Sequence, residues 1–472
     1  MVDAENEFAR EQLRLRGLLQ DHIASFARRD GNVDNSTRVV SASDGVVPRY
    51  IRIRRMASEG NNVGANKNHE EEEHTVREAV LAAGGRRVPW CPPYASESFY
   101  ALPPEFRIAQ WPLYQQGKVY GMDVASGVAV WALGPRPGDN VLDLCCCPGL
   151  KLCMVAEQMH HTGTITGVDI SRGRLTVCRQ VLVKYQIGRA AGVLVSPCSS
   201  PSASRSPSPG APLWCRLICA DGCCFETEWD AAWAGREEDV VFDSRAYDWQ
   251  GMEARGQKRM NRGTRRRESL ALRRVLNPAE NGAGREGRRE RANEEGGGYD
   301  RVLVDADCSH DGSTRHMLKV AGLDDSIRMR SGGFLSEEKL GGLEELQRGL
   351  LRNAFRRLRP GGVLVYSTCS LSPRQNEDVV AHLLKEEADA ILDPILELGL
   401  PLFSCEMEEK GEGGKRSDDN AQANESLHAC GRGYLPCRWG SLPGTLLFEP
   451  RFGETSGLFI ARIKKKQLNS NV

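Results

Sequence analysis

The stretch NVLDLCCCPGLKL, residues 140–152, decides the fold of this chain. The run NVLDL has the apolar pattern of a buried strand, and the chain then turns through Pro148 and Gly149. An apolar helical pattern begins near Leu150. A strand, a glycine turn and a helix N-terminus in succession are typical of a ligand site, because glycine lets backbone N–H groups approach a ligand and the helix end favours negative charge.

Short apolar runs continue on both sides of this stretch. They predict strands at VAVWAL, NVLDLC, TITGVDI, LWCRLICAD, RVLVDAD and GGVLVYSTC (128–133, 140–145, 164–170, 213–221, 301–307 and 361–369). Helical patterns lie between several of them, in LTVCRQVLVKYQ and EELQRGLLRNAFRRL (175–186 and 344–358). Strands that are apolar on both faces and alternate with helices indicate a mostly parallel sheet covered on both sides. The sequence therefore predicts an α/β fold.

The chain divides by composition into three parts. Residues 1–47 predict an amphipathic helix and a polar linker, residues 48–115 a small module that opens with the basic strand PRYIRIRRM, and residues 116–470 the α/β domain. Insertions near 196–212, 243–298 and 406–431 are low in apolar residues, and we expect them to be mobile loops. The arginines of the basic strand and of the second insertion could line solvent or contact an RNA backbone.

Composition excludes several classes of protein. The 63 basic and 63 acidic residues balance, so net charge indicates neither an acidic nor a basic partner. No apolar run reaches the roughly 18 residues of a membrane span, and the N-terminus is polar, so we expect neither a membrane nor a secreted protein. The 16 cysteines, several of them adjacent, predict reduced thiols in a nuclear, nucleolar or cytoplasmic protein. No CxxC pair recurs with the spacing of a zinc finger, so no metal site is predicted. The sequence indicates no obligate protein partner, and a monomer is expected.

Acidic residues end two further strands beyond the glycine turn. Asp169 follows Gly149 by 20 residues, the spacing at which an acidic residue binds ribose hydroxyls in nucleotide-binding α/β folds. Asp221 is placed to meet an adenine amino group. The chain lacks GxGxxG, which disfavours a dinucleotide, and a single glycine turn suits S-adenosylmethionine, which has no pyrophosphate. The predicted cofactor-binding residues are Cys145, Cys146, Cys147, Pro148, Gly149, Leu150, Lys151, Asp169, Asp221 and Asp305, with the three cysteines as small apolar filler.

Two cysteines follow the ends of predicted strands. Cys308 lies in YDRVLVDADCSHDGS, residues 299–313, and Cys369 in GGVLVYSTCSLSP, residues 361–373. Free cysteines are usually buried filler, but thiols at parallel strand ends meet at the mouth of the sheet, where such folds bind ligands. With Asp305 beside them, two thiols suggest attack on an electron-poor ring, one attacking and the other assisting.

Local signals around these cysteines give further expectations. Ser372 as cap, Pro373 in the first turn and Gln375 as the partner in a capping box predict a helix start that fixes the loop of Cys369. His310 and His316 are interpreted as surface-loop residues rather than as a base or metal ligands.

Taken together, these motifs resemble those of the RsmB/Sun (NSUN) family of S-adenosylmethionine-dependent RNA (cytosine-5-)-methyltransferases. DLCCCPGLK resembles the family's DxCAAPGGK, DADCSHDG its DAPCSGxG, and STCSLSPRQNEDVV its TCS…ENE segment. The stretch from YQQGKVYGMD to the glycine turn and the last apolar run, FEPRFGETSGLFIARIKK, also follow the family's order. The matched segments run from about residue 48 to residue 465.

The resemblance implies a Rossmann-like class I methyltransferase domain with a mostly parallel sheet, preceded by a small α+β module that binds RNA. It implies that Cys369 adds to C6 of a cytosine in tRNA or rRNA, that Cys308 helps to release the product and that Asp305 binds the N3/N4 edge of the base. S-adenosylmethionine is the implied methyl donor. The alternative is a catalytically inactive RNA-binding paralogue or scaffold.

Four residues depart from the family's motifs. Leu150, Leu152, Asp307 and His310 stand where the family has glycine, threonine, proline and glycine. We expect Leu150 to narrow the cofactor pocket, and Asp307 to raise the pKa of Cys308 by like-charge repulsion. Gln375 replaces a glutamate, and this change is expected to be harmless.

Overall fold

The computed structural model describes residues 48–55, 63–88, 98–189, 212–226, 239–249, 252, 266–268, 270–272, 298–313, 337–395, 437–450 and 455–467. The helix predicted within residues 1–47, nearly all of the insertion at 196–212 and the whole insertion at 406–431 lie outside the described residues.

A small antiparallel sheet opens the described part of the chain. Its strands β1 (Arg49–Ile53), β2 (Arg86–Arg87), β3 (Phe99–Leu102) and β4 (Val119–Tyr120) have the order β2-β3-β1-β4. Helix α1 (Val63–Ala82) packs Val76 and Val80 against this sheet, and the short helix α2 (Pro112–Gln115) precedes β4. The strand expected in the basic segment is therefore confirmed as β1, while β4 follows residue 115, the predicted end of the small module.

One arginine of β1 contradicts both interpretations of the basic strand. Arg52 is 2% exposed, so it neither lines solvent nor is open to a phosphate backbone. Its Nη1 lies 2.5 Å from Glu157 Oε2, and its guanidinium stacks on the Tyr120 ring at 4.5 Å. A buried arginine is retained where a carboxylate compensates its charge, and the alternation of the sequence gave no sign of that partner.

The described residues form a second sheet of ten strands. Its order is β12-β13-β14-β10-β9-β5-β6-β7-β8, and β11 pairs with β14. Strands β7, β6, β5, β9 and β10 are parallel to one another, whereas the outer strands pair antiparallel. The predicted mostly parallel α/β sheet is confirmed. The bounds are β5 (Asn140–Asp143), β6 (Thr164–Asp169), β7 (Trp214–Cys219), β8 (Val240–Asp243), β9 (Tyr299–Asp305), β10 (Leu358–Thr368), β11 (Ala390–Leu392), β12 (Cys437–Trp439), β13 (Leu446–Phe448) and β14 (Leu458–Lys465).

Helices cover both faces of this sheet. They are α3 (Val124–Leu133), α4 (Leu150–Gln158), α5 (Arg172–Lys184), α6 (Glu337–Arg357) and α7 (Glu377–Glu386). One buried cluster joins α3, α4 and α5 to sheet residues that include Val365, and the other joins α6 and α7 to sheet residues that include Leu364. Consecutive strand residues point to opposite faces, so the two clusters are the two halves of the core. No helix within the described ranges is long and apolar enough to cross a membrane.

The segment VAVWAL was predicted as a strand, and this prediction is wrong because it forms the second half of α3. Asp123 caps the helix by accepting the N–H of Ala125 at 3.0 Å, and Gly134 closes it with a φ of +58°. Eight of the ten residues of α3 are buried. A helix that is apolar all round has no polar face, so a short apolar run within it cannot be distinguished from a buried strand by its pattern.

The second insertion also begins later than predicted. Residues 239–249 are part of the fold: β8 pairs with β7, and the rings of Tyr247 and Trp249 pack on Phe242 with centroids 5.7 and 6.4 Å away. Glu268, deeper in the insertion, pairs with Arg179 of α5 at 2.9 Å. A strand of four residues gives too short a pattern to be recognised from sequence.

The order of the parallel strands determines where a ligand site can form. From β5 the chain steps outward through β6 to β7, and it then returns to the other side of β5 for β9 and β10. Ligands bind in open α/β sheets at the carboxyl ends of the strands where the order reverses. Here that point lies between Asp143, which ends β5, and Asp305, which ends β9.

Candidate active site

The turn between β5 and α4 is built around Gly149. This residue has a φ of +100°, and a Cβ added there would lie 2.7 Å from the Cys178 sulfur. Asp143 is buried at the start of the turn, where its Oδ1 accepts the N–H of Cys145 at 3.1 Å, and burial raises its pKa to about 8. The backbone at position 149 therefore leaves no room for any residue but glycine.

A cavity of about 150 Å³ opens in front of this turn. Eight of the ten predicted cofactor-binding residues line it, together with Gly121, Met122, Asp123, Ser126 and Asp143; the eight are Cys145, Cys146, Cys147, Pro148, Gly149, Leu150, Lys151 and Asp305. Leu150 thus lines the cavity whose width we expected its side chain to reduce. Leu152 is fully buried in the core.

The two other predicted residues lie beyond this cavity. Asp169 ends β6, is 4% exposed and accepts the N–H of Ser171 at 2.9 Å. Asp221 follows β7, is exposed and accepts the N–H of Cys223 at 2.9 Å. Both occupy strand ends on the same side of the sheet as the cavity, but neither is part of its lining.

The three adjacent cysteines of the turn differ from one another. Cys146 is 3% exposed and belongs to the hydrophobic core, as expected of apolar filler. Cys147 is only half-buried, and its pKa is lowered to about 3 because the thiols of Cys146 and Cys178 donate to its sulfur. Cys147 packs against the same core, as predicted for apolar filler, and it also lines the cavity.

Asp305 connects the cofactor turn to the two thiols. Its Oδ2 lies 2.6 Å from Lys151 Nζ, and its Oδ1 accepts the Ser367 hydroxyl at 2.7 Å. Burial lowers the pKa of Lys151, but attraction to Asp305 outweighs burial and the pKa is raised overall. Because Ser367 stands directly beside Asp305 in the register of β9 and β10, the carboxylate is held at the point where both strands end.

The expectation that the two thiols meet is confirmed. Cys308 follows β9 and Cys369 follows β10, and their sulfurs lie 3.2 Å apart. Cys308 is buried, while Cys369 is partly accessible. Their catalytic roles remain predictions.

His310 lies in the loop after β9 with its side chain 41% exposed, as predicted, but it also contacts both thiols, which was not predicted. Its Nδ1 lies 2.9 Å from the Cys369 sulfur and 3.7 Å from the Cys308 sulfur, and its Nε2 lies 3.3 Å from Asp307 Oδ1. The sequence held one sign of this contact, since both His310 and Asp307 depart from the motif that they interrupt. His316 lies outside the described residues.

The effect expected of Asp307 is also contradicted. The pKa of Cys308 is lowered to about 6, not raised, because the Cys369 thiol donates to its sulfur and the His310 imidazole lies beside it. Asp307 accepts a hydrogen bond from His310, and this bond lowers the pKa of Asp307 itself. The positive imidazole stands between the carboxylate and the thiols, so repulsion from Asp307 does not decide the charge of Cys308.

Gln375 does not complete a capping box. Residues Pro373–Gln375 form a 3₁₀ turn, and the Ser372 side chain makes no capping bond. Gln375 is instead fully buried: its Oε1 accepts the N–H of Ser309 at 3.0 Å, and its Nε2 donates to the Ser309 hydroxyl at 2.9 Å. The side chain thereby joins the segment after Cys369 to the loop of Cys308, a role that the sequence did not suggest.

Sheet order, glycine turn and strand-end carboxylates define the class I methyltransferase fold. The model of a family described as 16S rRNA methyltransferase RsmB/F matches residues 130–191 and 281–417, which contain the turn and both thiols. This match supports the RsmB/Sun (NSUN) family of RNA (cytosine-5-)-methyltransferases, which the motifs indicated.

Individual relatives resemble this chain over different lengths. The tRNA (cytosine(49)-C(5))-methyltransferase of Pyrococcus abyssi is 24% identical over 378 residues, which are 80% of this chain and 79% of that enzyme. The rRNA (cytosine-C(5))-methyltransferase NOP2C of Arabidopsis thaliana is 26% identical over 59% of this chain and 45% of its own length. Ribosomal RNA small subunit methyltransferase F of Aeromonas salmonicida is 40% identical over 21% of this chain and 19% of its own length.

Solved structures with a similar backbone trace include NSun6 from Pyrococcus horikoshii. It is 14% identical, with a TM-score of 0.49, over 91% of this chain and 94% of its own. A methyltransferase homologue from the same organism is 20% identical, with a TM-score of 0.47, over 90% of this chain and 88% of its own.

Proposed function

We propose that this chain transfers a methyl group from S-adenosylmethionine to C5 of a cytosine in RNA, through a covalent bond between Cys369 and C6. The observation that carries the proposal is the convergence of two thiols, 3.2 Å apart, beside the Lys151–Asp305 pair at the edge of the cavity. C5 of cytosine is a weak nucleophile, and a thiol that adds to C6 makes it reactive. The thiols provide this activation.

Each group near the base has one task in this reaction. The Cys369 sulfur bonds to C6, and Asp305 holds the N3/N4 edge of the ring while Lys151 fixes the direction of its carboxylate. C5, now electron-rich, takes the methyl group and then loses its proton to solvent, and the electron pair of the C–H bond re-forms the C5–C6 double bond. The carbon–sulfur bond breaks, the electron pair returns to Cys369, and Cys308 assists this release from 3.2 Å away.

The residues around the cavity suit S-adenosylmethionine. The first N–H groups of a helix have no partner within it, so those of α4, directly after Gly149, are available to the carboxylate of the ligand. We assign Asp169 to the ribose hydroxyls and Asp221 to adenine, because they continue the row of strand ends beyond the cavity. When bound, S-adenosylmethionine supplies a methyl group on a positively charged sulfonium.

The substrate is RNA, and the names of the relatives direct the first trials to tRNA and rRNA. A thiol at the end of a strand cannot reach a base inside a helix, so the target cytosine must be single-stranded or flipped out. We assign the docking of RNA to the small module, residues 48–115.

The test uses the wild-type chain, Cys369→Ala and Cys308→Ala. Each is incubated with total RNA and labelled S-adenosylmethionine, and the RNA is then digested to nucleosides. We expect label in 5-methylcytidine from the wild type and none from Cys369→Ala. Cys308→Ala is expected to accumulate an RNA adduct that survives denaturation, because the release step is slowed.

The control is Cys437→Ala, which removes a buried thiol of β12 away from the described site. Label from Cys369→Ala equal to that from the wild type would overturn the nucleophile assignment. An absence of label from every RNA, with S-adenosylmethionine still bound in calorimetry, would instead favour an inactive RNA-binding scaffold.

A further inference from the structure

The imidazole of His310 bridges a carboxylate and a thiol. Nε2 faces Asp307 Oδ1 at 3.3 Å, and Nδ1 faces the Cys369 sulfur at 2.9 Å. A carboxylate beside one ring nitrogen holds the proton there, which leaves the other nitrogen free to accept a proton. With the proton of neutral His310 fixed on Nε2, the lone pair of Nδ1 points at the thiol of Cys369.

The backbone under His310 is one that glycine normally adopts. His310 has a φ of +56°, in the left-handed region that a residue with a Cβ adopts only at a cost in free energy. The family pattern has glycine at this position, as noted above. Strain of this kind persists where the surroundings fix it, and it is concentrated at functional sites.

Contacts on both sides of His310 hold this loop in place. Ser309 is bound by Gln375, Asp311 Oδ2 accepts the N–H of Leu371 at 2.9 Å, and the N–H of Gly312 donates to the carbonyl of Cys369 at 2.9 Å. The loop of His310 and the loop of Cys369 are therefore joined to each other residue by residue. The contact between imidazole and thiol is a fixed feature of the site.

The charges around the imidazole favour transfer of a proton to it. The bond from Asp307, and next the Cys308 thiol, raise the pKa of His310 to about 10. Six other charged or titratable groups surround the pair formed by His310 and Cys369: Asp307, Cys308, Asp311, Asp305, Lys151 and Arg174. Carboxylates and thiols stand next to the imidazole, so a protonated imidazole beside one thiolate is the preferred charge state. The Cys369 thiol donates to the Cys308 sulfur, and this bond together with burial raises the pKa of Cys369 while it lowers that of Cys308. His310 Nδ1 lies nearer the Cys369 sulfur, at 2.9 Å, than the Cys308 sulfur, at 3.7 Å, so it is the imidazole that is placed to take the Cys369 proton.

We propose that His310, held by Asp307, is the base that removes the thiol proton of Cys369 and so activates the nucleophile. The proton moves from Sγ to Nδ1, and the electron pair left on sulfur forms the bond to C6 of cytosine. When that bond breaks, the pair returns to sulfur and the imidazolium returns the proton. This inference rests on the proposed function, and it assigns the two departures from the family motif to one catalytic unit.

The first test measures the thiol without RNA or cofactor. The rate at which iodoacetamide alkylates Cys369 is followed by mass spectrometry of its peptide between pH 5 and pH 10, in buffer with EDTA. Because burial and the bond to Cys308 raise the pKa of Cys369, the effect of the imidazole is read from the difference between two chains: we expect the rate to rise at a lower pH in the wild type than in His310→Gly. The shift should be at least about one pH unit, and the rate at pH 6.5 should then fall at least about tenfold in His310→Gly, since each pKa unit removes about nine-tenths of the thiolate.

Two further variants separate a catalytic from a structural role. Added imidazole is expected to restore part of the alkylation rate in His310→Gly, which has space for it and a backbone that suits glycine. Asp307→Asn, which no longer fixes the proton on Nε2, should shift the profile in the same direction. The control is His382→Gln, which removes a histidine of α7 that pairs with Glu386 at 3.2 Å, away from the thiols. Its profile should match the wild type.

Three results would overturn the inference. The first is an unchanged alkylation profile in His310→Gly, and the second is an equal shift of the profile in His382→Gln. The third is reactivity of the wild type at low pH that appears only when EDTA is omitted, which would indicate a cation held by Cys308, His310 and Cys369. Methylation is then compared at pH 6.5 and pH 9, where His310→Gly should lose more activity at the lower pH. A wild type that shows the expected alkylation profile but methylates no RNA would refute the proposed function. It would still support transfer of the Cys369 proton to His310.

Discussion

Lys151 lines the same cavity as Asp305. It is placed by the first turn of α4, and its Nζ lies 2.6 Å from Asp305. In Lys151→Met the Asp305 carboxylate would lose the ammonium group that pairs with it at 2.6 Å and fixes its direction. We expect the rate of methylation at saturating RNA and cofactor to fall by about 100-fold.

The matched control for this prediction is Lys385→Met, which removes an exposed lysine from α7. Initial rates of label incorporation measure both variants. A rate for Lys151→Met within threefold of the wild type would mean that Asp305 needs no partner.

Asp143 makes the stability of the ligand-free chain depend on pH. Its pKa in the folded state is about 8 because of burial, against about 3.9 in an unfolded chain. Between these values the folded state binds a proton that the unfolded state does not, so stability falls as pH rises through this window. Asp143→Asn, which still accepts the Cys145 N–H, should become progressively more stable than the wild type from pH 4 to pH 8. Urea denaturation at several pH values measures the difference, and Asp378→Asn, at an exposed site on α7, should show no such trend.

At the scale of residues, the sequence located the thiols but not their base. Cys308 and Cys369 were predictable because each directly follows a strong apolar strand, and parallel strands end at one edge of a sheet. The contact of His310 depends on a left-handed backbone and on two loops that lie 59 residues apart. No periodicity of the chain encodes either feature.

At the scale of elements, β1 and α4 are joined by a buried ion pair. Arg52 of β1 pairs with Glu157 at the end of α4, and Tyr120 of β4 donates to the other carboxylate oxygen at 2.6 Å. Since α4 begins at the cofactor turn, this cluster couples the small sheet to the site. In Glu157→Leu the Arg52 charge would be buried without compensation, and we expect the free energy of unfolding to fall by about 3–5 kcal/mol.

The double variant Arg52→Met/Glu157→Leu tests the reason for that loss. Replacement of both partners by apolar residues leaves no buried charge, and we expect it to recover most of the lost stability. Urea denaturation measures all three chains. A double variant as unstable as Glu157→Leu would show that packing, rather than charge, accounts for the loss.

The elements that the sequence predicted correctly are the long and regular ones. Strands β5, β6, β7, β9 and β10 and helices α5 and α6 follow the predicted runs, and β14 lies in the last apolar run. The errors fall on VAVWAL, which is apolar on every face, and on the strands of three or four residues at the sheet margins. Partners from distant parts of the chain stabilise those segments, so their own residues do not reveal them.

At the scale of the whole molecule, the small sheet presents a basic edge. Arg86 and Arg87 form the edge strand β2, and both are exposed. If this module docks RNA, Arg86→Glu/Arg87→Glu should weaken binding and make its dependence on salt less steep, by about 0.7 to 0.9 in the logarithmic slope for each lost phosphate contact. Filter binding at several salt concentrations measures this slope. Lys385→Glu, at an exposed position of α7, is the control, and an unchanged slope in the double variant would place RNA elsewhere.

The antiparallel pairing of β14 with β10 has a consequence for synthesis of the chain. β10 leads to Cys369 and has β9 on one side, but its other neighbour, β14, is encoded about 90 residues later. At about 5–20 residues per second, a ribosome needs roughly 5–18 s to add that strand. During this interval the strand that leads to Cys369 has a neighbour on one side only, so the loops that carry both thiols exist before the sheet around them is complete.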